Sequence, residues 1–449
     1  MLVTNACRKT GFITSPDAFV SASQDTIHFD TVFTTTGSTS RSFKIFNHND
    51  QKLRFTSIKL MGGNTSAFKI NIDGTAATEV KDIEIAANDS IYVFVTVSIN
   101  PTAANMPFII RDSVLISYNG KNRFVQLDAF GQNANFYRNR RITKDTTWSS
   151  PLPFVILGNV TVDPNATLTI TKGSKIYHHA DAPFIVNGTL KVNGEKEDSL
   201  RVRFLGDRLD QFYKDFPGAW PGILFMGTSK DNVLNYAIIK NAFQGIRAEL
   251  PAPNNLVKVT LNQCIIDNIF DVGILGLATT INATNCLISN CGNNIGIAAG
   301  GTYNFNHCTV VSIGNAYLQH KNPVLFVSNA ISQTTSNPLT ATFANSIFYG
   351  EGGIVENEIV VDKKGVTAFN LNFTNVLYKQ KDMPAAATFT NSIINQLPRF
   401  DSINTGNRVF NFRLTPLSPA VNKAGNSSVV IDLDGKPRPA LKDIGCYEL

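Results

Sequence analysis

The chain is predicted to be all-β, with an antiparallel β-sandwich near its start and a parallel β-helix over most of the remainder. Three observations predict this. First, one phrase returns between residues 232 and 313. It reads Asn-Tyr-Ala-Ile-Ile-Lys-Asn at 235–241, Asn-Gln-Cys-Ile-Ile-Asp-Asn at 262–268, Thr-Asn-Cys-Leu-Ile-Ser-Asn at 284–290 and Asn-His-Cys-Thr-Val-Val at 306–311, with Cys264, Cys286 and Cys308 each 22 residues from the next. A fixed period of this size, carried by short β-branched runs, marks a solenoid whose repeats bury their apolar faces only against their neighbours. Second, eight short alternating runs upstream are separated by turn residues, the pattern of a sandwich. Third, charged residues make up only 16% while Phe reaches 31, a balance that suits β-rich extracytoplasmic proteins better than helical enzymes.

The composition also excludes several classes. A net charge of +6, from 40 basic and 34 acidic residues, is too mild and dispersed for nucleic acid. No run approaches 18 apolar residues, so no helix is expected to span a membrane.

At the amino end, Met1-Leu-Val-Thr-Asn-Ala-Cys7 resembles the last residues of a bacterial lipoprotein signal, which implies a lipid on Cys7 and a tether over residues 1–24. The alternative is an ordinary exposed cysteine. The eight runs follow over residues 25–132: Thr26–Phe33, Ser42–Asn47, Leu53–Leu60, Phe68–Ile72, Ile83–Ile85, Ile91–Ile99, Asp112–Tyr118 and Phe124–Ala129. With Val93-Phe-Val-Thr-Val-Ser-Ile-Asn-Pro101 and the closing Leu127-Asp-Ala-Phe-Gly-Gln, they resemble immunoglobulin-like domains of the ASPM/SPD-2/Hydin type. That resemblance implies a spacer or docking module without chemistry. Residues 133–150, with Arg138, Arg140 and Arg141, are expected to be a linker.

The solenoid is expected over residues 151–410. Val160-Thr-Val-Asp-Pro-Asn and Ile185-Val-Asn-Gly-Thr-Leu-Lys-Val-Asn-Gly resemble the opening coils of right-handed parallel β-helix proteins of the pectate-lyase-like superfamily. Within each repeat the apolar alternation slips by one residue, at Asn262-Gln263, Asn285 and His307, and similar Asn residues stand at Asn345, Asn375 and Asn391. Such a slip predicts a corner between short strands. Stacked coil over coil at about 4.8 Å, its polar side chains should form a ladder, and the Cys side chains should stack inside. Gly245, Gly273 and Gly296, each followed by Ile, predict a second corner with positive φ.

Candidate site residues fall on two stretches. The excursion at 205–222 carries Tyr213, Phe216 and Trp220, whose aromatic faces suit stacking on sugars; Trp220 reads equally as a core residue at the start of a strand. On the repeats, Lys240, Arg247, Asp267 and Asp271 are the candidate catalytic set, with Glu249 and His307 nearby. Lys240, Asp267 and Ser289 share a phase, so Lys240 should neighbour Asp267, and a surface ion pair explains that as well as catalysis does. His178-His179 face opposite ways on a strand and cannot share one metal. No Asp-Asp pair, Gly-His-Gly or Arg-x-Pro-x-x-Arg phrase of the lyases and polygalacturonases on this scaffold is present.

The tail at 411–449 carries Leu414-Thr-Pro-Leu-Ser-Pro-Ala-Val-Asn, Ile431-Asp-Leu-Asp-Gly-Lys-Pro-Arg438 and Asp443-Ile-Gly-Cys-Tyr-Glu448. It is similar to the choice-of-anchor ending of bacterial surface β-helix proteins, departing at Asn422 and Cys446, and is expected to cap the solenoid. Asp432 and Asp434 are candidate calcium ligands, though a tight turn accounts for Asp-Leu-Asp-Gly without metal. Asp-Ser/Thr phrases such as Asp112-Ser-Val and Asp401-Ser-Ile resemble a bacterial O-glycosylation acceptor, or else reflect turn-then-strand grammar.

These readings converge on a monomeric, non-catalytic cell-surface lipoprotein that binds glycan or serves as structure, displayed from the outer membrane without a cofactor. The alternative is a polysaccharide lyase or glycoside hydrolase of the same superfamily, for which calcium would be the implied cofactor.

Overall fold

The computed structural model describes residues 11–34, 37–101, 107–211 and 213–449. Cys7 lies outside them. The described chain is all-β and divides into two compact units, one formed by Met1–Ala134 with Leu209–Gln211 and the other by Asn135–Arg208 with Phe212–Leu449.

The first unit is an immunoglobulin-like sandwich of two five-stranded sheets. One sheet runs in the order Val20–Ala22, Arg41–Asn47, Ser90–Val97, Phe68–Ile72, Thr75–Ala76; the other runs Thr26–Phe33, Lys121–Gln132, Phe108–Tyr118, Leu53–Leu60, Glu79–Ile85. All eight strands read from the sequence are present, because strict alternation sends one face of each inward. Phe29, Phe43, Phe55, Phe68, Val93 and Val95 form its core. The short strands Val20–Ala22 and Thr75–Ala76 were not anticipated, since two or three residues carry no period.

The second unit is a parallel β-helix whose 26 strands stack in three walls. The first wall includes Ala237–Lys240, Ile265–Asp267, Leu287–Ser289, Thr309–Ile313 and Ile347–Glu351. The second includes Ile223–Phe225, Gln244–Glu249 and Leu325–Ser328, and the third Asn232–Asn235, Val259–Asn262 and Leu339–Ala344. Two long strands, Val272–Thr284 and Asn293–Asn306, run through both second and third walls. Every pairing among these strands is parallel, including all those between residues 255 and 315.

At the back corner, where the third wall turns into the first, Gln263, Asn285, His307, Asn345, Asn375 and Asn391 hold φ between 49° and 52°. Asn reaches this left-handed region at less cost than other residues with a Cβ. The slip in alternation therefore does mark a corner. Its ladder is real but interrupted: Asn262 Nδ2 donates to Asn235 Oδ1 at 2.9 Å, and Asn345 Nδ2 donates to Asn306 Oδ1 at 3.0 Å. Cys264, Cys286 and Cys308 lie buried immediately inside it, and burial raises the thiols of Cys264 and Cys286 well above the usual range.

Three expectations are corrected. Gly245, Gly273 and Gly296 are strand residues and not a positive-φ corner; a Cβ on Gly245 would lie 2.4 Å from the Gly273 carbonyl oxygen and one on Gly273 2.6 Å from the Asn294 carbonyl oxygen, so close coil contact is what requires those two. Residues 133–150 are not a linker. Asn135–Ile142 and Thr146–Trp148 pair in parallel with Phe154–Val162 and Thr167–Thr171, forming the first coil. There Tyr137, Trp148 and Phe154 cluster at 5.0–5.8 Å at the start of the core, while Arg141 turns outward to Asp163 at 2.8 Å. Parallel pairing ends at Ile393–Ile394 rather than near residue 410, and Phe400–Asn404 and Val409–Leu414 form a separate hairpin.

The carboxyl-terminal segment lies along the flank rather than across the last coil. Leu433, Cys446 and Tyr447 pack on Leu287, Val311 and Ile313, and Ala420 and Ile444 on Ile347, Tyr349 and Leu377. These are outward residues of the first wall, which the segment makes an interior face. Polar contacts fix its course: Asn285 Nδ2 donates to the Ile431 carbonyl at 2.7 Å, and the Gly425 amide donates to Asn345 Oδ1 at 2.7 Å.

Candidate functional site

The front corner, where the first wall turns into the second, gathers most of the residues singled out in the sequence. Asn241, Asn268 and Asn290 make this turn with φ of 61°, 57° and 51°. Asn268 Nδ2 donates to Asn241 Oδ1 at 2.8 Å. The two amides also donate to the carbonyls of Lys214 and Asp215, at 2.7 and 2.8 Å, and so pin that stretch across the corner.

Tyr213 and Phe216 stand on that loop with rings 5.7 Å apart, and Phe216 meets Tyr317 edge-on at 4.8 Å. Arg208 lies 3.9 Å over Tyr213, and Arg408 lies 4.2 Å over Tyr317. On the second-wall side, Phe243 and Phe270 occupy equivalent positions of successive coils and stack at 5.4 Å. Tyr213, Phe216, Phe243 and Phe270 are 48, 43, 47 and 51% exposed, so the corner presents a band of aromatic faces to solvent. Beside Tyr317 opens a cleft of about 520 Å³ lined by Asn315, Gln319, Lys321 and Thr405.

Trp220 does not join this band. Its side chain is wholly buried, stacked on His178 at 4.2 Å, with Nε1 donating to the Lys240 carbonyl at 2.9 Å. Trp220-Pro-Gly222 is where the loop turns back into the second wall. Gly222 has φ 119°, and a Cβ there would overlap the Gln244 carbonyl. The indole therefore closes the core, and its sequence reading as a ligand-binding residue is set aside.

Lys240 and Asp267 are register neighbours on adjacent coils, with Lys240 Nζ 2.9 Å from Asp267 Oδ2. Ser289, next in the same file, donates to Asp267 Oδ1 at 2.8 Å. The charge of Asp267 raises the Lys240 pKa above its ordinary value despite opposing desolvation, so the amine stays protonated at neutral pH. It is thus poorly suited to abstract a proton. Asp271 lies across the corner, accepting from Gln244 Nε2 at 2.8 Å, and Arg247 pairs with Glu249 on the second wall at 2.5 Å. The candidate catalytic set is therefore split: Lys240–Asp267 and Arg247–Glu249 are separate ion pairs, Asp271 is bonded to a neutral amide, and Arg247 Nε is buried without a hydrogen-bond partner among the described residues. His178 points inward and His179 outward to Asp207 at 2.7 Å, as strand geometry requires.

Calcium does not fit the residues considered for it. Asp432 Oδ1 accepts the Asp434 and Lys436 amides at 2.9 and 2.8 Å, and its Oδ2 accepts the Glu448 amide at 2.9 Å. Asp434 is taken by Arg413 at 2.6 Å. Their oxygens serve a tight turn.

Sequence reasoning missed Phe243, Phe270, Tyr317, Asp215 and Arg408, the last two paired at 3.0 Å. A signal existed for the first two, since each follows a corner Asn by two residues. It also missed a buried pair, His320 Nε2 to Glu358 Oε1 at 2.8 Å, with Lys379 Nζ 3.7 Å from the same oxygen. Gly350 leaves room for it, since a Cβ there would overlap both side chains. The pair ties together the loops that precede Leu325–Ser328 and Ile359–Asp362.

No family model matches the chain, and no curated protein matches it. Among solved structures, a family 123 glycoside hydrolase from Clostridium perfringens aligns at 10% identity and TM-score 0.20, covering 29% of this chain and 30% of its own. The ASH/PapD-like domain 7 of human CEP192 aligns at 12% identity and TM-score 0.18, covering 30% of this chain and 96% of its own. This chain thus spans less than a third of the hydrolase, and similarity at this level has no bearing on activity.

Proposed function

We propose that this chain is a non-catalytic cell-surface protein that binds glycan at the front corner of its β-helix. The observation that carries the proposal is the exposed aromatic band of Tyr213, Phe216, Phe243 and Phe270 beside charges already neutralised in pairs. Sugar rings present apolar C–H faces that stack on aromatic rings, while their hydroxyls need hydrogen-bonding neighbours. The internally paired charges favour a neutral ligand. In this reading the sandwich is a spacer and the protein works as a monomer at the outer membrane, held by lipid on Cys7, for which the Met1–Cys7 sequence is the support.

A glycan array followed by calorimetry on the full chain tests the site. Tyr213→Ala/Phe216→Ala is expected to weaken binding about tenfold, two stacking contacts being lost. Full affinity in both this variant and Phe243→Ala/Phe270→Ala would sink the proposal. The anchor is tested separately, by membrane fractionation: Cys7→Ser is expected to move the protein into the soluble fraction, and unchanged membrane association would rule the lipid out.

The catalytic alternative, a lyase or glycoside hydrolase using Lys240, Arg247, Asp267 and Asp271, has less support because those groups are dispersed over separate pairs. Release of unsaturated product or reducing ends, abolished by Lys240→Ala or Asp267→Asn, would replace the binding reading.

A further inference from the structure

The sandwich carries a second aromatic surface that the spacer reading does not use. In the sheet built on Arg41–Asn47, Phe68–Ile72 and Ser90–Val97, alternation sends Val93 and Val95 inward and Tyr92 and Phe94 outward. Tyr92 and Phe94 are each 43% exposed, with rings 5.6 Å apart and planes within 19°. Beside them on the same face, Phe46 stacks on His48 at 5.6 Å, and His48 on Phe19 at 4.7 Å. A monomer gains nothing by leaving this many rings in water on one face.

The polar residues of the face indicate its partner. Lys44 is the register neighbour of Tyr92, its Nζ 4.6 Å from the ring centre, and Asn71 is the register neighbour of Phe94. Lys69 lies two residues before Asn71 on the same side. Ser42, Ser90 and Thr96 complete the outward positions of these strands, and none of those positions holds a carboxylate. Among the described residues, neither Lys44 nor Lys69 has an ion-pair partner within 4.0 Å, unlike Lys240 at the front corner. Rings interleaved with hydroxyls suit a sugar chain, and cations without an ion-pair partner suit one bearing carboxylates or sulfates, the nearest acids, Asp73 and Asp89, standing just beyond the strand ends.

We infer that the outer face of this sheet is a binding surface for an anionic polysaccharide, stacking sugar rings on Tyr92, Phe94 and Phe46 and pairing acidic substituents with Lys44 and Lys69. The site is independent of the front corner, and the two are predicted to differ in the charge of their ligands.

Affinity electrophoresis of the full chain through gels containing alginate, with dextran as the neutral control, tests this. Alginate is expected to retard the protein, and raised salt to relieve the retardation. Tyr92→Ala/Phe94→Ala should raise the apparent Kd for alginate about tenfold, while Tyr213→Ala/Phe216→Ala leaves it unchanged. Lys44→Gln/Lys69→Gln, which leaves every ring in place, should weaken alginate binding similarly and decides the matter if the aromatic variant fails to fold. Equal retardation of the Tyr213→Ala/Phe216→Ala variant by dextran, full alginate affinity in the lysine variant, or loss of alginate binding only in the front-corner variant would overturn the inference. So would sedimentation showing a dimer that dissociates in the Tyr92 variant, which would make the face a contact between copies.

Discussion

Replacing Arg438 with alanine is expected to cost about 3–5 kcal/mol of stability, the usual penalty for leaving a buried charge without its partner. The guanidinium is wholly buried and the Glu448 side chain is only 3% exposed. Arg438 bonds Glu448 and also donates to Asn285 Oδ1 at 2.7 Å and to the Gly445 carbonyl at 3.0 Å. One side chain thereby joins the flank segment to a back-corner residue. Burial raises the Glu448 pKa and the Arg438 charge opposes that rise, so the variant strands an acid in an apolar setting. Urea unfolding followed by tryptophan fluorescence measures the loss, since Trp148 and Trp220 both lie in the solenoid core. Limited trypsin digestion should release the segment after residue 414 earlier than in the parent chain. A loss under about 1 kcal/mol would show that the pair contributes little beyond its neighbours' packing.

The second large effect depends on pH. Burial depresses the His178 pKa from 6.5 to about 3. The unfolded chain therefore takes up this proton first as pH falls, and the stability contributed by the neutral ring, fully present above pH 6.5, drains away through that window. The slope from one such group is about 1.4 kcal/mol per pH unit. His178→Phe keeps a ring against Trp220, 4.2 Å away, and removes the titration. Urea midpoints between pH 7 and pH 4 should then fall less steeply than in the parent. His307, held near 3 by burial and by the Arg438 charge, titrates in both proteins and cancels from the comparison. Parallel acid profiles would exclude His178 as a source of acid sensitivity.

The features legible in the sequence were those repeated at fixed phase. Gln263, Asn285, His307 and Asn345 announced the back corner because each interrupts an alternation that resumes at once. Lys240 and Asp267 could be placed side by side for the same reason. Gly245, Gly273 and Gly296 misled, since glycine serves close strand contact as readily as a turn and only the backbone conformation separates the two. The front corner was half visible: its residues stood out one by one, but their assembly depends on a loop pinned by Asn241 and Asn268, and that path has no period. His320 and Glu358 sit in insertions of unequal length, where the spacing that guided the reading is lost. The flank segment reaches Asn285, 153 positions before Arg438, beyond the reach of any local pattern.

That segment has a consequence for how the chain comes to be made. Coils can stack in the order in which a ribosome delivers them, each templated by the one before. Residues 415–449 follow all of the coils, yet they cover Val311, Ile313 and Ile347, which were delivered about a hundred residues earlier. Until that segment emerges, the solenoid carries a bare oily stripe along its side. Chains that stop short of this segment are thus the adhesive ones, and residues 415–449 are what cover the stripe.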